Sequence, residues 1–330
     1  MNYTDIIGID NIFQAWLEFR KGKGKRVDVQ VFEKNLEDNL FSLNENLKKK
    51  SYRHRGYQSF FVHDPKKRHI HKACVRDRVI HHLLYKYLYG LFDKSFIYDC
   101  YSCRLEKGTH KAVKRLEGFA RIVSKNYTLP CWVLKLDIKK FFASLDHQIL
   151  LGLLKKRVKD NNILWLLVEV INSFPNGIPL GNLTSQIFAN IYMNELDQFI
   201  KCELKIKYYI RYADDFIIIL DQRYYDKLVY HSKLINLIRL FLRDNLKLKL
   251  HPKKIILRKL RYGIDFLGYI TLPRYILPRT KTKRRMFKKI KQKRGSNNFN
   301  QSLQSYLGYL SHANAYKAAE DLRNTVYLND

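Results

Sequence analysis

The sequence predicts an α+β protein in which strands bearing aspartates lie between basic helical segments, and three observations lead to this class. Two short apolar runs typical of strands, residues 131–142 and 209–220, contain acidic residues. Patterns with helical spacing come before, between and after these runs. Lys and Arg number 62, against 30 Asp and Glu in 330 residues, so the formal charge is +32 and the expected partner is a polyanion.

The N-terminal third has a helical pattern and many cations. Residues 25–52 place apolar side chains at helical spacing, namely Val31, Phe32, Leu36, Leu40, Leu43 and Leu47. Residues 57–71, "YQSFFVHDPKKRHIH", predict a hairpin around Asp64-Pro65-Lys66-Lys67. Residues 76–92 return to a helical pattern.

The middle of the chain alternates strand and helix. "CWVLKLDIKKFF" (131–142) predicts a central strand that ends near Asp137, and a helix follows over 144–158. "FPNGIPLGN" (174–182) has two Pro and two Gly in nine residues and predicts a loop, before a helix from about Thr184 to Lys201. In "YIRYADDFIIIL" (209–220), two strand-forming segments flank a predicted tight turn over 212–215.

The last third predicts a helix over 224–246, short strands in 247–254 and 264–272, a basic segment over 279–294 and a helical end over 302–324. No apolar run reaches the length of a membrane span, and no signal peptide is seen, so we expect a cytoplasmic protein. Charges spread along the chain disfavour binding to an anionic membrane surface.

Five scattered cysteines predict reduced thiols rather than a disulfide framework. Cys100 and Cys103 form a C-x-x-C, but no second pair stands at zinc-ligand spacing, so a structural zinc site is not expected.

Three aspartates, Asp137, Asp214 and Asp215, could lie close enough together for their negative charges to need compensation. Asp214 and Asp215 alone are ordinary turn residues, because Asp favours turns. Asp137, however, ends an apolar run that can share a sheet edge with that turn. Three carboxylates brought together repel one another unless cations lie among them, and two Mg²⁺ ions about 4 Å apart would meet that need and support phosphoryl transfer.

The chain resembles reverse transcriptases in five motifs that occur in the family's order. "VLKLDIKKFF" is similar to the first catalytic motif, "GIPLGNLTSQIFANIY" to the template-and-nucleotide loop with its helix, and "YADD" to the paired-aspartate turn. "LKLHPKK" and "FLGY" resemble the two motifs that follow. The resemblance implies a right-hand polymerase fold and RNA-templated DNA synthesis, with fingers over 1–130, palm over 131–275 (146–185 returning partly to the fingers) and thumb over 276–330.

The same resemblance implies roles for individual residues. Asp137, Asp214 and Asp215 would hold two Mg²⁺ ions, with Mn²⁺ as a substitute, and the Ile138 carbonyl would assist. Lys254 would protonate the leaving pyrophosphate.

Other residues would contact the nucleotide. Phe142, five residues after Asp137, would be the steric gate against a ribose 2′-OH; the alternative is that Phe141 and Phe142 both belong to the core. Lys66 and Arg68 would grip the triphosphate, although Lys66 is equally explained as a solvated surface residue. The template-and-nucleotide loop and its helix would contribute Leu180, Gly181 and Gln186.

The residues of this loop also resemble those of one type of reverse transcriptase. An aliphatic Leu180 before Gly181, and Gln186 after Ser185, resemble the enzymes of diversity-generating retroelements. "DPKKRHIH", "CRLEKGTH" and "SYLGYLSHAN" are similar to that group too. Leu180 cannot donate hydrogen bonds to the nucleotide, so we expect misincorporation, especially opposite template adenine. Antiphage-defence reverse transcriptases are similar in length and motifs and stay open as an alternative.

The expected partners are an RNA template, a DNA or RNA primer and dNTPs, with a structured non-coding RNA and a small basic accessory protein oligomer implied by the resemblance. The rival of another class is a non-catalytic RNA-binding protein that keeps a polymerase-like shell. RNA synthesis on an RNA template is disfavoured by Phe142.

Overall fold

The computed structural model describes residues 2–63, 66–221 and 228–324. Its helices are α1 (Tyr3–Ile6), α2 (Ile9–Arg20), α3 (Val27–Glu33), α4 (Leu36–Lys48), α5 (Val75–Phe92), α6 (Thr109–Val123), α7 (Phe141–Ser144), α8 (His147–Lys155), α9 (Asn161–Asn172), α10 (Leu183–Gln198), α11 (Leu228–Leu246), α12 (Thr280–Gln292), α13 (Phe299–Leu310) and α14 (Tyr316–Asn324). Its strands are β1 (Tyr57–Val62), β2 (Arg68–Ala73), β3 (Cys131–Asp137), β4 (Tyr209–Tyr212), β5 (Asp215–Asp221), β6 (Ile256–Lys259), β7 (Ile264–Phe266), β8 (Tyr269–Leu272) and β9 (Tyr275–Pro278).

The chain divides into two compact units. The first comprises residues 1–103, 138–205 and 238–250, and the second comprises residues 104–137, 206–237 and 251–330. No helix within the described residues has both the length and the apolar character that crossing a lipid bilayer requires.

The first unit is mainly helical. Helix α5 packs against α2 and α10, and buried Leu, Ile and Val side chains fill the space between these helices. The antiparallel ribbon β1–β2 pairs Tyr57 with Ala73 and Val62 with Arg68. This confirms the predicted hairpin, whose tip residues Asp64 and Pro65 lie outside the described residues.

The second unit contains an antiparallel sheet of order β4-β5-β3-β6, with α6 packed on β4 and β5. Strand β3 is buried at Val133, Leu134 and Leu136, whereas Lys135 and Asp137 are half-buried. Residues two apart lie on the same face of a strand, so Lys135 and Asp137 share one face. A separate sheet, β7-β8-β9, and the cluster formed by α12, α13 and α14 complete the unit.

The predicted tight turn is confirmed as the tip of the β4–β5 hairpin. Tyr212 pairs with Asp215, so Ala213 and Asp214 form a two-residue connection. Ala213 has φ +54°, a left-handed conformation for which such turns normally use glycine. The Arg211 guanidinium donates a hydrogen bond to the Ala213 carbonyl at 3.1 Å, which helps to hold this strained turn.

Some elements differ from the sequence prediction. The strand predicted in 247–254 is wrong in extent: Leu250 forms one isolated bridge with Ile138, and Pro252–Lys254 is a 3-10 turn. The reason is Pro252, which has no N–H to donate to a strand ladder. The helix predicted over 224–246 begins at Leu228 in the described part, and its first four residues lie outside it.

Candidate active site

The three predicted aspartates lie at one edge of the β4-β5-β3-β6 sheet. Asp137 ends β3 and is the direct register partner of Asp215, the first residue of β5. Asp214 occupies the hairpin tip immediately before Asp215. A one-residue slip in register would turn one of these acids to the opposite face, so the β3–β5 pairing is what brings them together.

Asp215 is half-buried and incompletely paired. Its Oδ2 lies 3.2 Å from Lys135 Nζ, while its Oδ1 is buried and has no hydrogen-bond partner among the described residues. Burial raises the pKa of Asp215 to about 6; Lys135 opposes the shift, and the negative charges of Asp137 and Asp214 add to it. The carboxylate is therefore held in its ionised form at a cost in free energy.

Asp137 is bound by a lysine that is distant in sequence. Both of its carboxylate oxygens accept hydrogen bonds from Lys254 Nζ at 2.8 Å. The 3-10 turn Pro252–Lys254 delivers this ammonium, and the turn is fixed to β3 because the His251 N–H donates to the Asp137 carbonyl at 2.8 Å. The structure thus places the predicted Lys254 directly at the acidic edge.

The oxygen atoms at this edge determine whether it can hold divalent ions. Within the described ranges, no set of three or more His, Cys, Asp or Glu side chains stands ready to hold a metal ion, and Lys135 and Lys254 contact the carboxylates instead. Nonetheless, carboxylate oxygens are the ligands Mg²⁺ prefers, and the unpartnered Asp215 Oδ1 is an acceptor that the lysines leave unsatisfied. These carboxylate oxygens therefore fit a divalent cation.

Lys135 was missed by the sequence prediction. Its Nζ bridges Asp215 Oδ2 and the Asp265 carbonyl oxygen, the latter at 2.8 Å, and its side chain is only 17% exposed. The signal was present, because Lys135 stands two residues before Asp137 and must share its face of the strand. A basic residue at an inward position of an apolar run is the feature that could have identified it.

In the first unit, a short loop segment fixes Phe142. The Ile178 N–H donates to the Phe142 carbonyl at 2.8 Å, and a Cβ on Gly177 would overlap that same oxygen. His147 Nε2 donates to the Gly177 carbonyl at 2.6 Å. Phe141 is buried and Phe142 is half-buried, and their rings meet edge-on with centroids 5.2 Å apart. Ile138, at the start of this unit's second segment, forms the bridge with Leu250.

The predicted nucleotide loop is held against strand β2. The His71 N–H donates to the Leu180 carbonyl at 2.8 Å. Asn182 accepts from the Ala73 N–H at 3.3 Å and donates to the His71 carbonyl at 2.9 Å. Gly181 has φ +117°, and a Cβ there would lie 2.7 Å from an Ile70 methyl group, so glycine is required.

The remaining predicted residues lie at the surface of the first unit. Gln186, in the first turn of α10, is exposed, and so are Lys66 and Arg68 on the hairpin. Exposed long side chains beside a fixed backbone are free to bind a ligand, but no contact in this structure assigns one to them.

A buried histidine relay supports the start of α10. His54 Nδ1 lies 2.5 Å from the Arg55 carbonyl, which can only accept, so Nδ1 carries the hydrogen. Burial lowers the pKa of His54, and it lowers the pKa of His81 to about 3, so both rings are neutral. His81 Nε2 must therefore donate to His54 Nε2 (3.2 Å), and the Thr184 hydroxyl must donate to His81 Nδ1 (2.7 Å).

Asp77 anchors the far end of this relay. It accepts hydrogen bonds from the Tyr52 hydroxyl and the Arg55 N–H, both at 2.9 Å, and from the Cys74 thiol at 3.1 Å. Burial works against its charge, but the hydrogen bonds from Cys74, the Arg55 N–H and Tyr52 hold the pKa of Asp77 below its usual value.

Comparison with known proteins identifies the family. The profile described as reverse transcriptase (RNA-dependent DNA polymerase) matches residues 47–271, more than half of the chain. The putative COX1/OXI3 intron 2 protein of Saccharomyces cerevisiae is 24% identical over 260 residues, covering 59% of this chain and 29% of the yeast protein. The group II intron-encoded protein LtrA of Lactococcus lactis subsp. cremoris is 28% identical over 145 residues, covering 40% of this chain and 22% of that protein. The chain thus spans less than a third of the length of either relative.

Solved structures agree at the level of fold. Telomerase from Candida albicans, solved with a fragment of telomeric RNA, superposes with a TM-score of 0.51 at 13% identity, covering 90% of this chain and 64% of that one. Apo telomerase from Candida tropicalis gives a TM-score of 0.51 at 13% identity, covering 73% and 59%. The mixed helix and sheet architecture is thus the right-hand polymerase fold, and the chain belongs to the reverse transcriptase family.

Proposed function

We propose that the chain is an RNA-directed DNA polymerase whose Asp137, Asp214 and Asp215 hold two Mg²⁺ ions. The observation that carries the proposal is the register of β3 and β5, which sets Asp137 opposite Asp215 beside the hairpin tip. Two ammonium groups at this edge, from Lys135 and Lys254, support it, because they show that the acids attract cations there.

The protein's own residues prepare this edge. Bound divalent ions would polarise the α-phosphate and stabilise the attacking and leaving oxygens. Lys135 keeps Asp215 ionised despite its burial, so that an acceptor oxygen is available. Lys254 stands ready to give a proton to the leaving pyrophosphate, and the Pro252–Lys254 turn positions it.

Substrate choice would rest on the loop and α7. The half-buried Phe142 ring would exclude a ribose 2′-OH, and its backbone is fixed by Gly177 and Ile178, so the gate would be rigid. Lys66 and Arg68, both exposed, would bind the triphosphate. The base pair would be contacted by Leu180, Gly181 and Gln186. Because Leu180 is aliphatic, selection of the incoming base would depend on shape alone.

For the biological role, we propose error-prone synthesis of cDNA from a dedicated RNA, as in diversity-generating retroelements. Leu180 and the Ser185-Gln186 pair support this type. The partners would be a structured RNA and a small basic accessory protein oligomer. The alternative role is antiphage defence with a non-coding RNA. Sequencing the RNA that co-purifies, with its cDNA, separates the two, because only diversification yields cDNA with clustered substitutions at template adenines.

Primer extension on an RNA template tests the polymerase proposal. We expect Mg²⁺-dependent extension with dNTPs, loss of it in Asp214→Ala and Asp215→Ala, and no change in Asp244→Asn, which removes an exposed carboxylate paired with Arg243. Failure of the wild-type protein to extend any primer while it still binds RNA would favour the non-catalytic RNA-binding protein. Extension with rNTPs alone would instead indicate RNA synthesis and remove the role of Phe142.

A further inference from the structure

Three short motifs meet at a cluster of four rings in the second unit, away from the acidic edge. "CRLEKGTH" ends at His110 in the first turn of α6, "FLGY" ends at Tyr269 at the start of β8, and "SYLGYLSHAN" contains Tyr309 and His312. The His110 and His312 rings are stacked, with centroids 3.6 Å apart and planes 20° from parallel. Tyr269 meets His110 edge-on at 5.8 Å and stacks on Tyr309 at 4.4 Å. We call these four side chains the His110 clasp.

The clasp belongs to a set of contacts that attach the C-terminal helices to the β7-β8-β9 sheet. The Tyr269 hydroxyl donates to the Tyr309 carbonyl at 2.9 Å, and the Tyr309 hydroxyl donates to the Gly268 carbonyl. Further along the chain, the Asn314 side chain accepts from the Ile276 N–H at 2.9 Å, and the Asn314 N–H donates to the Ile276 carbonyl at 2.7 Å. The end of α13 and the turn after it are thus bound to two strands, and the imidazole stack adds a contact with α6.

The hydrogen bonds of Tyr269 fix the tautomer of His110. A phenol has one hydrogen, which Tyr269 gives to the Tyr309 carbonyl, so its oxygen must accept from His110 Nδ1 at 3.1 Å. Neutral His110 therefore carries its hydrogen on Nδ1, and Nε2 has the lone pair that takes a second proton. His110 is half-buried and its partner His312 is exposed, so protons from the solvent reach the pair.

A positive charge on this pair meets further positive charge. Burial lowers the pKa of His110, and His312 and Lys114, one turn along α6, lower it further. Burial also raises the pKa of Tyr269 and that of Tyr309, the latter to about 12, so both phenols stay neutral. The other charged groups near the clasp act on Tyr309, and they are Arg279, Arg285 and Asp265.

The one carboxylate in this group is already matched. Asp265 forms a salt bridge with Arg279, so it is not a spare counter-ion for the imidazoles. Two unit charges 3.6 Å apart repel each other by an amount worth about sevenfold in an equilibrium constant, even at the dielectric constant of water. Protonation of both rings therefore opposes the stack.

We propose that His110 and His312 are positioning residues that hold α13 and α14 against α6 while both imidazoles are neutral, and that release these helices when both are protonated. The folded pKa of His110 lies below its unfolded value of about 6.5. The clasp is therefore fully stabilising above that value and weakens as the pH falls below it. The inference goes beyond the proposed function, because the clasp needs neither metal nor nucleic acid.

Hydrogen exchange of the full chain tests the clasp between pH 8 and pH 5, with rates corrected for the intrinsic effect of pH. Peptides over 299–324 report on α13 and α14, and peptides over 75–92 report on α5 as a reference in the first unit. His312→Phe keeps a flat ring that cannot be protonated. His110→Asn keeps an N–H for Tyr269 and cannot be charged. The matched control His63→Phe removes an exposed imidazole of the first unit.

We expect the corrected exchange rate over 299–324 to rise at least about sevenfold in the wild type and in His63→Phe, while that of α5 stays constant. The rise should vanish in His312→Phe and in His110→Asn, whereas a merely structural role would shift the rate by the same factor at every pH. An unchanged wild-type rate, an equal rise in α5, a rise that persists in either clasp variant, or its loss in His63→Phe would overturn the proposal.

The consequence for DNA synthesis rests on the proposed function, because the clasp lies against the predicted thumb over 276–330. Products made in a single binding event, in the presence of a heparin trap, should shorten from pH 8 to pH 6 in the wild type relative to His312→Phe. Equal shortening in both would overturn the positioning role in synthesis. A chain that extends no primer at any pH would instead remove the polymerase proposal, and the exchange rates would still decide whether the clasp exists.

Discussion

Replacing Asp215 by Asn should stabilise the metal-free protein while abolishing polymerisation. The pKa of Asp215 is raised from 3.8 to about 6, and its side chain is 21% exposed. A shift of about two units corresponds to about 3 kcal/mol, the cost of keeping this carboxylate ionised at pH 8. Because the folded pKa is the higher one, the penalty is absent below the unfolded pKa and grows as pH rises towards 6. An amide resembles the protonated acid and escapes the penalty.

The assay is urea unfolding in EDTA at constant ionic strength between pH 4 and pH 8. We expect Asp215→Asn to gain up to about 3 kcal/mol at pH 8, about half of that at pH 5, and about a fifth of it at pH 4. Adding Mg²⁺ should narrow the difference, because the ion stabilises only the chain that binds it. The control Asp244→Asn should show no such gain, since the pKa of Asp244 is lowered by Arg243. A variant no more stable than wild type at pH 8, or a gain independent of pH, would refute the reasoning.

Three further substitutions address other parts of the molecule. Lys254→Met removes the ammonium on Asp137; we expect kcat to fall about 100-fold with primer–template affinity unchanged, and an unchanged kcat would exclude Lys254 as the proton donor. Leu180→Gln should lower the error frequency in a fidelity assay, most of all opposite template adenine, and equal error rates would argue against selection by shape at this residue. Thr184→Val leaves the buried His81 acceptor unsatisfied and should cost about 1–3 kcal/mol in urea unfolding, whereas Thr184→Ser keeps the hydroxyl and should cost less; equal losses would contradict the relay.

Local patterns predicted the elements of the site well. The turn in "YADD" and the strand ending at Asp137 follow from alternation of apolar residues and from the preference of Asp for turns. The φ of +54° at Ala213 could not be predicted, because alanine normally avoids it and only the strand pairing on both sides imposes it.

Local sequence patterns could not predict contacts between residues that are distant in sequence. Lys254 binds Asp137 across 117 residues of sequence, and Lys135 reaches the Asp265 carbonyl across 130. Such contacts depend on the register of the strands and on turns such as Pro252–Lys254. The pattern of "KLKLHPKK" had predicted a strand at this turn. Lys254 was predicted because of the resemblance to a family, and no such resemblance pointed to Lys135.

The two lysines also explain how an acidic edge persists in so basic a chain. Three carboxylates this close would destabilise the sheet if they were unpaired, and each lysine offsets part of that repulsion. Yet each ammonium group carries only one positive charge, and Asp215 Oδ1 has no hydrogen-bond partner among the described residues. A fully satisfied lysine network would have to be broken before any metal could bind. An incompletely satisfied one leaves a buried acceptor oxygen on Asp215 that a divalent cation would pair, and this supports the metal site proposed above.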